Sequence, residues 1–266
     1  MYAFHFERAA DARAAVAALK RDPDAKFLGG GQSLLAAMKL RLAAPSALID
    51  VSRIAGMADI RMDNGELVIG AAARHADVAA SAEVARAIPA LAALAGGIGD
   101  RQVRAMGTLG GSLANDDPAA CYPAAVLALD ATVVTDRRNI AADNFFKGLY
   151  ETALEPDELI AAVRFRVPGQ AAYVKFRNPA SRFALVGVMV ARFGNAVRVA
   201  VTGAADSVFR CAPLEQALSA SFTPAAARAV TVDAGRLNAD LHASAEYRAH
   251  LIPVLAARAV EQAGGG

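Results

Sequence analysis

Met106-Gly-Thr-Leu-Gly-Gly-Ser-Leu-Ala-Asn-Asp-Asp-Pro-Ala-Ala-Cys-Tyr-Pro123 is the stretch that organises the chain. It holds Gly107, Gly110 and Gly111 close together, hydroxyls at Thr108 and Ser112, and Leu109 as the one large side chain between them. Glycine admits positive φ and lets the backbone approach a ligand, so successive N–H groups can face one anion. Lys26-Phe-Leu-Gly-Gly-Gly-Gln-Ser33 repeats that chemistry upstream. Two such stretches predict an extended ligand with two phosphates, held from both sides.

Around the upstream run, residues 26–28 read as a short strand entering the glycines. Ser33 reads as the N-cap or a first-turn residue of a helix carrying Leu34, Leu35, Met38 and Leu42. Strand, glycine turn and helix start make an anion site, because unpaired N–H groups and the helix dipole both favour negative charge. Before it, Tyr2, Phe4 and Phe6 alternate as a strand over 2–6, and residues 9–20 read as a helix closed by Asp22-Pro23-Asp24. After it come strands over 47–51 and 66–70, the second following an Asp63-Asn64-Gly65 turn. Helix is expected over 76–95, interrupted at Pro89, and Gly96-Gly97-Ile98-Gly99 leads through Arg101 and Arg104 into the organising loop.

Downstream, a buried helical turn over 123–129 precedes a strand over 131–135. Turn and short helix are expected over 143–160, then an alternating strand over 162–167 closed by Pro168-Gly169. That pair is the expected domain boundary, giving 1–169, with sub-parts of about 1–55 and 56–169, and 170–266. Strands over 173–176, 184–193 and 197–202 predict an antiparallel sheet with Gly194-Asn195 as a hairpin turn. Helices over 214–220, 224–230 and 244–262 would cover it, making a small α+β module with a frayed Gly264–Gly266 tail. No internal repeat stands out.

The 266 residues suffice for one large or two modest domains with a sizeable core. A formal charge of +2 without a basic cluster interleaved with aromatics argues against a nucleic-acid partner. Hydrophobic residues make up 55%, yet no window of ~18–20 residues is free of charges or breakers, so no transmembrane segment is expected. The N-terminus has no signal-peptide pattern, and two distant cysteines, Cys121 and Cys211, fit a reducing cytoplasm. Two thiols cannot ligate an iron–sulfur cluster, and the four histidines lack metal-site spacing, so no metal is expected on this chain.

Each site has a plainer reading. Gly29-x-Gly31, with Asp50 at a later strand end, invites a Rossmann reading, but that fingerprint needs a small residue where Leu34 stands, and regular βαβ alternation is missing. The second run lacks the Gly-Lys-Ser/Thr ending of a P-loop. Asp116-Asp117 reads as solvation or local capping, His75 as a loop or helix-start residue, and Cys121 as a small packing residue. Tyr173 and Lys175 alternate with Val174 and share one face of a strand, whose plain reading is a solvent-facing side.

Taken together, the ordered motifs resemble the FAD-binding medium subunit of the molybdenum hydroxylases, the family of carbon monoxide dehydrogenase medium chains and xanthine dehydrogenase flavin subunits. The carriers are Gly29-Gly-Gly-Gln-Ser-Leu-Leu35 with Met38-Lys39, Leu48-Ile-Asp50, Gly107-Thr-Leu-Gly-Gly-Ser112 and Asp117-Pro-Ala-Ala120. Further along are Phe145-Phe-x-Gly148, Leu154-x-Pro-x-Glu-Leu-Ile160, Lys175-Phe-Arg177, Phe183-Ala-Leu-Val186 and Ala245-Glu-Tyr-Arg-x-His-Leu251. The resemblance implies an α+β fold: a two-part PCMH-type FAD-binding domain, then a small α+β C-terminal domain. It implies that Leu28, Gly29, Gly30, Gly31, Gln32 and Ser33, with Thr108, Leu109, Gly110, Gly111 and Ser112, cradle the pyrophosphate of non-covalent FAD, mostly through backbone N–H groups. Asp117, Cys121, Tyr173 and Lys175 would complete the contacts, the last two near the flavin.

Two positions depart from the family pattern: Cys121 stands where a ribityl-contacting Asp is common, and Ala105 where Asn is common. A thiol is a weak hydrogen-bond partner, so that contact would be lost, taken by Asp117 or bridged by water. The implied function is electron transfer within a cytoplasmic hetero-oligomer. A large molybdopterin-binding subunit would hydroxylate the substrate, a small [2Fe–2S] subunit would pass electrons on, and FAD here would release them to an external acceptor. No general acid or base stands out on this chain. The alternatives are a stand-alone FAD oxidoreductase of the same fold, which a covalent flavin-attachment residue at either run would favour, and a non-catalytic assembly module.

Overall fold

The computed structural model describes residues 1–264, and the chain forms sheets of three, five and four strands with one two-stranded hairpin. The first part runs β1 (His5–Arg8), α1 (Ala12–Arg21), β2 (Lys26–Leu28), α2 (Leu34–Lys39) and β3 (Ala47–Asp50). Its strands pair in parallel in the order β1-β3-β2. The apolar run of β3 puts Leu48 and Ile49 in the core, and α1 packs on the sheet through Ala15, Val16, Ala18 and Leu19. Asp11 starts α1 by accepting the Ala14 N–H at 2.7 Å.

Two expectations shift here. β1 begins later than the alternation from Tyr2 suggests and exposes all four residues, because it is an edge strand with no buried face. Helix α2 ends at Lys39: Arg41 adopts a φ of 60° and leaves Leu42 outside the helix, 78% exposed. Ser33 precedes α2 without a side-chain cap bond.

The second part opens with β4 (Ile60–Asp63) and β5 (Glu66–Gly70), turned by Asn64 and Gly65 at positive φ. Three helices, α3 (His75–Ala80), α4 (Ala82–Ala87) and α5 (Pro89–Gly96), replace the single interrupted helix expected over 76–95. Ser81 accepts the Val84 N–H to start α4, and Pro89 sits in the first turn of α5, where a missing N–H costs nothing. Then come α6 (Arg101–Met106), α7 (Leu109–Asn115) and α8 (Tyr122–Ala128), so the organising stretch is largely helical rather than a loop.

Strands β6 (Thr132–Thr135), β7 (Asn139–Ala141), β8 (Phe146–Gly148), β9 (Glu151–Thr152) and β10 (Ile160–Arg166) complete this part. The five-stranded sheet has the order β4-β5-β10-β6-β7, all antiparallel. Of the short helix expected within 143–160, a single 3-10 turn over Ala142–Asn144 forms at its start; the rest is the β8–β9 hairpin and a turn closed by Glu158. The Glu158 carboxylate accepts from Arg138, Thr135 and the Glu155 N–H, and the Arg138 bonds hold its pKa down at about 2.

Pro168 and Gly169 separate β10 from β11 (Gln170–Arg177), which is followed by β12 (Ala184–Phe193), β13 (Ala196–Thr202) and β14 (Phe209–Arg210). These pair antiparallel in sequence order. Helices α9 (Ala212–Ala220), α10 (Pro224–Arg228) and α11 (Ala245–Gly264) follow. Residues 184–191 are continuously buried because the sheet is covered on both faces. Val186, Val188 and Val190 join the core under α11, while Met189 and Ala191 join the larger core of the preceding part. Gly264 ends α11; Gly265 and Gly266 of the tail expected to fray lie outside the described residues.

Candidate functional site

β2 delivers the chain into Gly29-Gly30-Gly31, and each glycine answers a different demand. Gly31 takes a φ of +70°. A Cβ on Gly30 would stand 2.0 Å from the Met106 carbonyl oxygen, and one on Gly29 would stand 3.0 Å from Thr108 Oγ1. The two glycine runs therefore abut directly and form one continuous wall, rather than gripping from opposite sides. Among the described residues, the backbone N–H groups of Gly29, Gly30, Gly31, Gln32, Ser33 and Leu34 donate to no protein acceptor. Successive free donors on a turn leading into a helix are an anion-binding nest.

The second run is built differently. Arg74 and Thr108 pair as an antiparallel bridge, with the His75 N–H donating to the Gly107 carbonyl at 2.9 Å and the Leu109 N–H to Ala73 at 3.0 Å. Gly110 N–H donates to Ala71, and Thr108 Oγ1 caps α7 by accepting the Gly111 N–H at 3.1 Å. Ser112 N–H returns to the Thr108 carbonyl. Within Thr108–Ser112 only the Thr108 N–H lacks a protein acceptor among the described residues. The free backbone donors thus concentrate in the first run, and the second supplies close packing, the Thr108 N–H and the Ser112 side chain.

Both runs line a cavity of about 640 Å³. β11 adds Lys175 to its lining, the β11–β12 connection adds residues 180–183, and α6 adds Val103. Lys175 Nζ donates to the Arg182 carbonyl at 3.2 Å and lies 3.3 Å from Cys121 Sγ. The segment carrying Asp117 and Cys121 is pinned from below: the Gly203 N–H donates to the Pro118 carbonyl, and Thr202 Oγ1 lies 2.7 Å from the Pro118 and Ala120 carbonyls. Asp117 accepts the Ala119 N–H at 2.8 Å and sits beside the Tyr150 hydroxyl. His75 also lines the cavity, its pKa driven down to about 4 by burial and by the Arg104 charge.

Residues 2–168 match the family described as the FAD binding domain in molybdopterin dehydrogenase. The chain belongs to that family. It is 36% identical over 262 residues to the nicotine 6-hydroxylase medium subunit of Paenarthrobacter nicotinovorans, covering 92% of each chain. It is also 36% identical to the carbon monoxide dehydrogenase medium chain of Hydrogenophaga pseudoflava, covering 90% of this chain and 89% of that one. Among solved structures, carbon monoxide dehydrogenase from Hydrogenophaga pseudoflava superposes with a TM-score of 0.87 at 32% identity, covering 99% of this chain and 98% of that chain. Quinoline 2-oxidoreductase from Pseudomonas putida 86 superposes at 0.88 and 27% identity, covering 98% and 97%. The protein is an FAD-binding medium subunit of the molybdenum hydroxylase type and a flavoprotein oxidoreductase subunit.

The residues present fit FAD. Six consecutive free N–H groups offer an anion cradle for a pyrophosphate, and the cavity continues past them toward Cys121 and Lys175. Of the residues named from sequence, Leu28 to Ser33, Thr108, Gly111, Ser112, Asp117, Cys121 and Lys175 line this cavity. Leu109, Gly110 and Tyr173 do not. Leu109 is fully buried, and a Cβ on Gly110 would meet the Ala71 Cβ at 2.6 Å, so both serve the packing of α7.

Tyr173 does share a face with Lys175, but that face is not solvent-facing. The Tyr173 hydroxyl is buried beside the Cys121 thiol, and burial and Cys121 push its pKa up. A Cβ on Gly187 would come 2.4 Å from that oxygen, so the ring lies across the neighbouring strand. Ala105 is exposed on α6 and outside the cavity, whereas Cys121 is on the wall.

Sequence reasoning gave no site role to His75, Val103, Asn115 or residues 180–183. Only tertiary pairing brings them to the wall, and Asn115, next to the second run, is the one a local signal could have found. The fold also packs the His75 ring on Tyr122, next to Cys121, at 5.3 Å between centroids.

Proposed function

We propose that this subunit transfers electrons in a molybdenum hydroxylase complex, receiving them from a [2Fe–2S] partner and delivering them to an external acceptor. FAD would be held without a covalent bond, its pyrophosphate on the N–H groups of Gly29 to Leu34 and of Thr108, with Ser112 at the second run. Asp117, Cys121 and Lys175 would contact the remainder, Lys175 being held in place by the Arg182 carbonyl and the Cys121 thiol. The observation carrying this reading is the row of acceptor-free donors, on a cavity wall built from both glycine runs. When bound, FAD supplies electron exchange singly or in pairs; the protein supplies position and electrostatics.

The partners would be a large molybdopterin-binding chain and a small [2Fe–2S] chain. Relatives named as medium chains or medium subunits support a hetero-oligomer, and two cysteines, both free and buried, are too few to bind a cluster here. The free thiols also favour a reducing cytoplasmic setting. No helix among the described residues is long and apolar enough to cross a membrane. We further propose that the chain divides into domains at residue 169, with the C-terminal part closing the cavity through Lys175 and residues 180–183.

The test is affinity purification of the full chain from its native cells. Co-purification of two further chains, one carrying molybdopterin and one a [2Fe–2S] cluster, with flavin reduced on substrate addition, is the predicted result. A chain that isolates alone and oxidises a substrate of its own would overturn the partner and electron-route assignments.

A further inference from the structure

His75 is 5% exposed, yet its side chain bonds to nothing among the described residues. Its backbone N–H holds the Gly107 carbonyl, and its ring is packed against Tyr122. Nδ1 is sealed in the interior without a partner. Nε2 lies against Gly107, where an added Cβ would come within 2.6 Å of it, and both residues line the cavity. Neither nitrogen is used by the protein among the described residues, and Nε2, the one beside the cavity, is the one a ligand can reach. Burial and Arg104 keep the ring neutral at neutral pH, leaving it one N–H. An N–H at Nδ1 would be a donor sealed away from every acceptor, so the proton belongs on Nε2, beside the cavity.

We propose that His75 is a cofactor-binding residue, donating an Nε2–H hydrogen bond to an oxygen of FAD where the two glycine runs meet. This rests on the cavity being the flavin site. The bond adds direction without adding charge, whereas Lys26, Lys175 and Arg182 already bring positive charge to the lining. It also gives Gly107 a reason beyond backbone conformation: any larger residue there would push the imidazole off the wall.

The experiment uses the full chain stripped of cofactor, labelled with ¹⁵N-histidine and titrated with FAD. The cofactor-free chain should show the Nε2–H tautomer, and FAD should move the Nε2 resonance while Nδ1 stays in place. In parallel, His75→Phe should weaken FAD binding by about 10-fold or more, the scale of one hydrogen bond to a charged oxygen. His75→Gln, which carries an amide N–H near the Nε2 position, should restore binding to within about 3-fold of the parent chain on the same scale. An imidazole signal unmoved by FAD, or a folded His75→Phe chain that binds FAD as tightly as the parent, overturns the proposal. The labelled parent chain decides if His75→Phe fails to fold. Should the parent chain bind no FAD at all, the reading of the cavity fails first; should it bind while His75 stays silent, only the role of His75 fails.

Discussion

Gly30 and Gly110 are both glycine for steric reasons, but the obstructing atoms differ, and so do the expected consequences of adding one methyl. On Gly30 the methyl would drive into the Met106 carbonyl at 2.0 Å and pry the two glycine runs apart. Gly30→Ala should therefore weaken FAD binding by 10-fold or more, about 1.4 kcal/mol at least, as read by flavin fluorescence titration. On Gly110 it would strike Ala71 inside the core. Gly110→Ala should cost about 1–3 kcal/mol of stability by overpacking, with FAD affinity of the folded chain little changed.

Asp116 gives a pH signature at the same scale. It ends α7 at a φ of 43°, buried, with neither carboxylate oxygen bonded among the described residues. Burial and then the Asp117 charge raise its pKa to about 7. The folded chain then holds a proton that the unfolded chain has released, so this group lowers stability as pH rises from about 4 to 7, and no further above that. Asp116→Asn should flatten that slope and stabilise the chain at pH 8 by about 1–3 kcal/mol, since Asn keeps the left-handed backbone without the buried charge. Thermal unfolding of both chains across pH 4–8 checks it.

At the scale of elements, α11 is fastened to the four-stranded sheet by one buried cation. Arg248 Nη1 donates to the Leu185 and Gly203 carbonyls at 2.7 and 2.8 Å, and Nη2 pairs with Asp240 at 2.7 Å. Arg248→Met would keep much of the volume and leave those carbonyls without donors, so it should cost about 2–4 kcal/mol in denaturant unfolding. The Ala245-Glu-Tyr-Arg-x-His-Leu251 motif marked this helix, but not the reason for its arginine, which lies in carbonyls 63 and 45 residues away. The same limit holds elsewhere. Continuous apolar character made β12 legible, and Asp63-Asn64-Gly65 marked the turn into β5, because burial and turn chemistry are local. The β8–β9 hairpin and the division into α3, α4 and α5 were not legible, since caps such as Ser81 and a long-range anchor such as Arg138–Glu158 decide them. The cavity shows the contrast most clearly. Both glycine runs stand out in the sequence, but which of them keeps its N–H groups free depends on Ala71 and Ala73 capturing those of the second.

Over the whole molecule, the cavity draws its wall from the parallel first part, the helical middle and the C-terminal sheet. Cofactor binding should therefore tie the three together, raising the unfolding temperature with FAD concentration as mass action requires. Membership of the FAD-binding family accounts for the fold over residues 2–168, while the acceptor-free row from Gly29 to Leu34 accounts for where the cofactor's charge would sit. The most direct test is an FAD titration of the purified, cofactor-free full chain, followed by absorption and by heat release of what was bound. The account predicts saturable, equimolar uptake with flavin bands, and intact FAD released on heating. A folded chain that stays colourless and takes up no FAD would contradict it.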